Sequence, residues 1–157
     1  MSAVVVTADI ARSPDEVFAY VTDASRFAEW QQDASNVQVE GNPHSVGTRY
    51  RTTRRIGSVR RTTIRTSEVV ECTPPRRWVA RGIDGPVRSV VAIGVEPLDG
   101  GARSRVTIGL DFSGHGIGKL LIPLVLRQAR REAPDNRRAL RERLEGLSSG
   151  RPGTPAS

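Results

Sequence analysis

The sequence predicts an α+β domain: a curved seven-stranded antiparallel sheet wrapped around one long C-terminal helix, with two short helices between strands 1 and 2. Three observations predict it. The stretch from Gly116 to Gly146 alone is long enough, and apolar at three- and four-residue steps, to be a helix covering a whole small domain. Nearly everything before it alternates or turns as strands and hairpins do. One passage near the start, Ser13 to Trp30, carries helix signals instead. At 157 residues the chain fits a single domain. A chain of this length buries roughly 70% of the surface its unfolded form exposes, enough for a core with a pocket.

Residues 3–11 are β-branched and half alternating, and predict the first strand. Ser13-Pro14-Asp15-Glu16 is a helix entry: serine caps free amides, proline suits the first helical position, and glutamate completes a capping box. Val17, Phe18 and Val21 give this helix an apolar face, so it spans 14–22. Asp23 caps a second one, in which Phe27 and Trp30 pack together. Residues 35–40 alternate, and Gly41-Asn42-Pro43-His44 turns the chain.

The strand from Gly47 to Ile56 places Thr48, Tyr50, Thr52 and Arg54 on one face and Arg49, Arg51, Thr53 and Arg55 on the other. The arginine-rich face is solvated, so Tyr50 and Thr52 look inward. Ile56-Gly57-Ser58 predicts a tight hairpin. In the next strand, 59–72, Ile64, Thr66, Val70 and Glu68 alternate with Arg65, Ser67, Val69 and Glu71, and the face of Ile64 and Thr66 is expected inside. Thr73-Pro74-Pro75 ends it, because proline removes ladder donors. Strands follow at Arg76–Ile83, Val87–Glu96 and Ala102–Ser113, separated by Asp84-Gly85-Pro86 and Pro97-Leu98-Asp99-Gly100-Gly101. In the last helix Leu121, Leu124, Val125, Gln128, Ala129, Leu140, Leu144 and Leu147 form a stripe. Pro123 and Pro134 predict a bend or restart, each costing about 3 kcal/mol in a regular helix interior. The domain is expected to span 1–147, and the Gly/Pro/Ser-rich residues 148–157 to be a disordered polar tail.

The net charge of +7 is unevenly placed. Residues 1–48 carry −5, 49–67 carry +7, 68–116 balance, and 117–157 carry +5. The basic hairpin 49–65 could meet an acidic partner or an anionic surface. Nucleic acid is not expected, because single-strand binding wants aromatic stacking and only Tyr50 is nearby, facing inward. Cys72 is the single cysteine, which excludes an intramolecular disulfide and a cysteine metal cluster. His44 and His115 fall in separate loops without ligand spacing, so no metal and no cofactor are expected. Glu68 and Asp111 sit mid-strand. A buried carboxylate near Arg54, or near Arg65 if the register slips, would be an acid/base pair or a ligand anchor. No nucleophile elbow, zincin or phosphate-loop motif is present, so no catalytic constellation is identifiable. The start of the chain reads as neither signal peptide nor membrane span, and a cytoplasmic protein without integral membrane association is expected.

The motifs carry a resemblance. Ser13-Pro14-Asp15-Glu16-Val17-Phe18 and Asp23-Ala24-Ser25-Arg26-Phe27-Ala28-Glu29-Trp30 resemble the SRPBCC superfamily, the START-like group with the helix-grip fold that includes polyketide cyclase/dehydrase-like proteins. Gly47-Thr48-Arg49-Tyr50, Pro74-Pro75-Arg76-Arg77, Gly85-Pro86 and Gly100-Gly101 are further marks, and the resemblance covers about residues 3–147. It implies a cavity between sheet and last helix that binds a hydrophobic or amphipathic small molecule, lipid-, polyketide- or isoprenoid-like. The alternative is a polyketide cyclase/aromatase-like or dehydratase-like enzyme using the same cavity, and a weaker one an interaction module built on the basic hairpin. The expected walls are Trp30 from the second helix and Tyr50, Thr52, Ile64 and Thr66 from the hairpin. Trp78 and Ile93 from the middle strands complete the sheet side, with Leu121, Leu124, Val125 and Gln128 on the last helix. The protein is expected as a monomer or homodimer.

Overall fold

A computed structural model describes residues 3–56 and 61–153. Seven strands form one antiparallel sheet: β1 (Val4–Ile10), β2 (Ala34–Glu40), β3 (Arg49–Ile56), β4 (Arg61–Thr73), β5 (Arg77–Asp84), β6 (Val87–Leu98) and β7 (Arg103–Gly114). Their spatial order is β1-β7-β6-β5-β4-β3-β2. Every sequential neighbour from β2 to β7 is therefore a hairpin, and β1 closes on β7 at the far edge. Two short helices, α1 (Pro14–Val21) and α2 (Phe27–Trp30), fill the β1–β2 connection, and α3 (Ile122–Gly153) lies across the concave face. This is the expected helix-grip architecture. The expected hairpin loop Ile56-Gly57-Ser58 lies largely outside the described residues, as do 154–157 of the polar tail, while the backbone of 148–153 continues α3.

Local chemistry accounts for the helices. Ser13 Oγ accepts from Glu16 N at 3.3 Å, Glu16 Oε1 accepts from Ser13 N at 3.4 Å, and Pro14 takes the first position of α1. Asp23 Oδ1 accepts from Ser25 N at 3.1 Å and caps the 3₁₀ turn Ala24–Arg26 that leads into α2. The strand irregularities that bend the sheet are bulges. One interrupts β2 between Ser35 and Gln38, and β4 shifts register against β5 near Thr66 and again between Val69 and Glu71. Each extra residue bends its strand and steepens the twist, which curls the sheet around α3.

Three expectations are corrected. On β4 the inward face carries Arg65, Ser67 and Val69, all buried, whereas Ile64 is 60% exposed and Val70 is exposed. The reason is register: Thr52 pairs with Arg65 and Tyr50 with Ser67, and cross-strand partners share a face. Pro134 does not interrupt α3. It sits on the exposed side, where the Arg130 carbonyl left without its donor can turn to water. Pro123 falls in the first turn, where a missing N–H costs nothing, and the preceding residues Gly116–Leu120 form a 3₁₀ turn. That change of helix type breaks the phase of the apolar stripe, so Leu124 is 41% exposed and Leu121 half-buried, while Val125, Gln128, Leu140 and Leu144 are buried.

The core sits at one end of the interior, under α1 and α2. Phe27 is its centre, in edge contact with Trp30, Tyr50 and Trp78 at centroid distances of 5.9, 5.7 and 6.0 Å. Tyr50 and Trp78 stack at 6.3 Å. Ile10, Val17, Val21, Ile93 and Val95 pack around them. Aromatic bulk fills this end solidly and leaves space at the other end, beneath α3.

Candidate functional site

That space is a cavity between the sheet and α3. About 100 Å³ of it is open to the centre of a water molecule, several times what one water needs. Its two ends differ in chemistry. Val6 and Ala8 of β1, Val91 of β6, Val106, Ile108 and Leu110 of β7, and Val125, Ala129 and Leu140 of α3 line an apolar part. Gln31, Asp33, Arg54, Arg55, Arg65, Gln128, Glu132 and Asn136 make a polar part where β3 and β4 approach α3.

The polar part is stitched together. Arg54 Nη1 donates to Gln31 Oε1 at 2.7 Å and to Asp33 Oδ1 at 3.0 Å. Gln128 Nε2 donates to the Arg55 carbonyl at 2.9 Å and to Glu132 Oε2 at 3.3 Å. Gln32 N donates to Asn136 Oδ1 at 3.1 Å. Strand β3, the α2–β2 loop and α3 are thereby joined at one rim of the cavity. Burial raises Glu132 above the ordinary carboxylate range, and the Asp33 charge adds to the effect. Glu132 can therefore hold a proton closer to neutral pH than a surface glutamate.

Two groups in the wall differ from the rest. Arg65 is only 8% exposed, its Nε is buried without a hydrogen-bond partner, and among the described residues it forms no ion pair. Burial, with the Arg54 charge beside it, pulls its pKa down to about 10, so the guanidinium still carries its charge at neutral pH. Trp30 Nε1 is likewise buried without a partner. Both residues line the cavity. Buried donors are nearly always bonded, and these two stand unmet in residues of one cavity wall.

Of the expected wall residues, Trp30, Val125 and Gln128 are brought to the cavity. Tyr50, Trp78 and Ile93 are buried in the aromatic core, and Thr52 is buried beside Arg65 on the neighbouring strand. Trp78 Nε1 is satisfied by the Pro43 carbonyl at 3.3 Å. Burial pushes the Tyr50 phenol up to about 12, so it stays neutral. Ile64, Thr66, Leu121 and Leu124 do not line the cavity. The carboxylate near Arg54 is Asp33, not Glu68 or Asp111, and Asp111 accepts instead from Ala3 N at 2.8 Å. Asp33 and Glu132 are the residues that reading the sequence missed, and that reading puts Arg65, named only in case the register slips, on the outer face. Pairing the hairpin outward from an inward Tyr50 would have found Arg65. No local signal marks Asp33 or Glu132, which reach the site only through the fold. His44 pairs with Thr22 Oγ1 at 2.8 Å and stacks on Phe18. Among the described residues no three His, Cys, Asp or Glu side chains gather as metal ligands would.

The family described as polyketide cyclase/dehydrase and lipid transport matches residues 1–148. The chain belongs to this family. Solved structures agree on the fold. An aromatase/cyclase, Zhui, from Streptomyces sp. R1128 superposes with a TM-score of 0.74 at 14% identity, covering 98% of this chain and 97% of that one. A START superfamily protein from Mycobacterium smegmatis gives 0.72 at 16%, with 92% and 97% covered. The protein TTHA0849 from Thermus thermophilus gives 0.67 at 19%, with 92% and 99% covered. At these identities the likeness is one of fold. No curated protein matches the sequence. In this chain the cavity lies under the last helix, and no described helix is long and apolar enough to cross a membrane.

Proposed function

We propose that the protein binds an amphipathic small molecule, lipid-, polyketide- or isoprenoid-like, in the cavity beneath α3. Its polar end meets Arg65 and Trp30, and its apolar body lies along Val6, Val106, Ile108 and Leu140. The observation that carries this reading is the Arg65 guanidinium, more than nine-tenths buried in the cavity wall with Nε unbonded. A buried donor left without an acceptor is expensive. A ligand carboxylate, enolate or phenolate oxygen supplies the missing acceptor, and the apolar lining supplies area to bury. The test is calorimetric titration with a series of arylalkyl carboxylates and their methyl esters. The acids are expected to bind more tightly than the esters, with the preference lost in Arg65→Met. A wild-type protein that binds neither series, or does not discriminate between them, overturns the reading.

Glu132 favours a second reading, in which the same cavity is catalytic. A carboxyl raised by burial stands at the polar rim and a fixed cation in the wall. Together they could move a proton and stabilise an enolate oxygen in a cyclase/aromatase-like or dehydratase-like reaction. The expected signature is a ring-closure rate on a poly-β-ketone thioester that Glu132→Gln lowers without changing carboxylate affinity. A wild-type rate equal to the uncatalysed one sinks it.

A further inference from the structure

The 3₁₀ turn Gly116–Leu120 and the first turn of α3 form an elbow with three exposed apolar side chains. Ile117 is 72% exposed and Leu120 80% exposed, and Leu124 stands exposed just beyond them. Residues three apart eclipse in a 3₁₀ helix, so Ile117 and Leu120 share one edge. Their exposure is built in by the backbone. Gly118 between them is buried, and a Cβ there would lie 1.8 Å from the Pro86 carbonyl oxygen. His115 N also donates to that oxygen at 2.9 Å. The elbow is thus seated on the β5–β6 turn through its glycine, and the flanking side chains are held outward.

The surroundings of this ridge are cationic. Lys119 lies within it, and Arg127 and Arg131, three and seven residues after Leu124, follow on the same flank of α3. The exposed Arg55, whose carbonyl Gln128 binds, belongs to the same end of the molecule. From Gly114 to Pro134 the one carboxylate is Glu132, which faces the cavity. We propose that this elbow docks onto an anionic membrane surface, with Ile117, Leu120 and Leu124 entering the acyl boundary and Lys119, Arg127 and Arg131 meeting the lipid headgroups. Apolar area plus attraction to anionic lipid is what holds such a segment in an interface. The charge argues against a second copy of the chain as the occupant. A two-fold interface centred here would set each basic flank against its own copy. The ridge leads into the part of α3 that supplies Val125 and Gln128 to the cavity wall, so docking would bring a lipid surface beside the ligand site.

Co-sedimentation of the full chain with vesicles tests this, with no cavity ligand added, so that the outcome is independent of what the cavity holds. Vesicles of equal parts phosphatidylcholine and phosphatidylglycerol are expected to carry the protein down, and phosphatidylcholine vesicles to leave it in solution. Apparent affinity is expected to fall roughly tenfold or more in Ile117→Ser/Leu120→Ser, and similarly in Arg127→Glu/Arg131→Glu, each with wild-type melting behaviour. No preference for the anionic vesicles overturns the proposal, as does undiminished binding by both variants. So does a wild-type dimer, seen by light scattering, that Ile117→Ser/Leu120→Ser converts to monomer, because the ridge would then belong to a second copy.

Discussion

Thr52 on β3 lies directly opposite Arg65 on β4, and both side chains are buried. That pairing turns an arginine of the basic hairpin away from water and into the cavity wall. Under the proposed reading, that buried guanidinium is what meets the ligand's anionic end.

Replacing Arg65 by methionine keeps much of the volume and removes the buried charge. Stability is expected to rise by on the order of 1 kcal/mol, as when other buried charges give way to packed apolar groups. Affinity for arylalkyl carboxylates is expected to fall in the same variant. Urea denaturation and calorimetric titration on one preparation read both. A variant that loses stability and binding together would make Arg65 a structural residue.

The Arg54–Asp33 pair has side chains 15% and 18% exposed and a 3.0 Å contact, so it is screened less than the surface pairs. Arg54→Gln and Asp33→Asn are each expected to destabilise by on the order of 2 kcal/mol, with a coupling of about 1 kcal/mol in the double-mutant cycle. The exposed Arg105–Asp9 pair, closer at 2.8 Å, is the control, and its coupling is expected to vanish in high salt.

Glu132 gives a pH signature of definite sign. Its folded pKa is raised, so over a window beginning near the ordinary glutamate value the folded protein holds a proton that the unfolded chain has released. Stability therefore falls as pH rises through that window. Glu132→Gln, which can still accept from Gln128, is expected to melt higher than wild type at neutral pH and to match it at about pH 4. Melting curves across that range decide it. A difference that grows toward acid would reverse the assignment.

Trp78 and Ile64, both expected in the cavity wall from the sequence, lie on opposite sides of the sheet. Trp78 is fully buried against Phe27 and Tyr50, so Trp78→Ala is expected to cost about 3–5 kcal/mol. Ile64 points outward, and Ile64→Thr is expected to stay within about 0.5 kcal/mol of wild type. Chemical denaturation of the two variants checks the face assignment of β4 directly.

Element identity was legible because it depends on neighbours in sequence. The capping box at Ser13 and Glu16, the turn residues around Gly85-Pro86 and Gly100-Gly101, and the alternation of β6 and β7 each act within a few residues. The lining of the cavity was legible only in part, through Trp30, Val125 and Gln128. Strand β4 shows why. Its bulge between Val69 and Glu71 shifts the phase midway, so no single alternation describes the strand, and the apolar Ile64 and Val70 drew the inward face to the wrong side.

By itself the sequence determined the order of elements, the hairpin connectivity and the long amphipathic cover, since capping, turn chemistry and periodicity are local interactions. Only the tertiary structure decided which end of the interior is filled and which is hollow. It also decided that Arg65 faces the hollow end and that Asp33 and Glu132 join Arg54 and Gln128 at its rim. Those residues come from β4, the α2–β2 loop, β3 and α3, and cross-strand register and helix packing bring them together at separations no local pattern encodes.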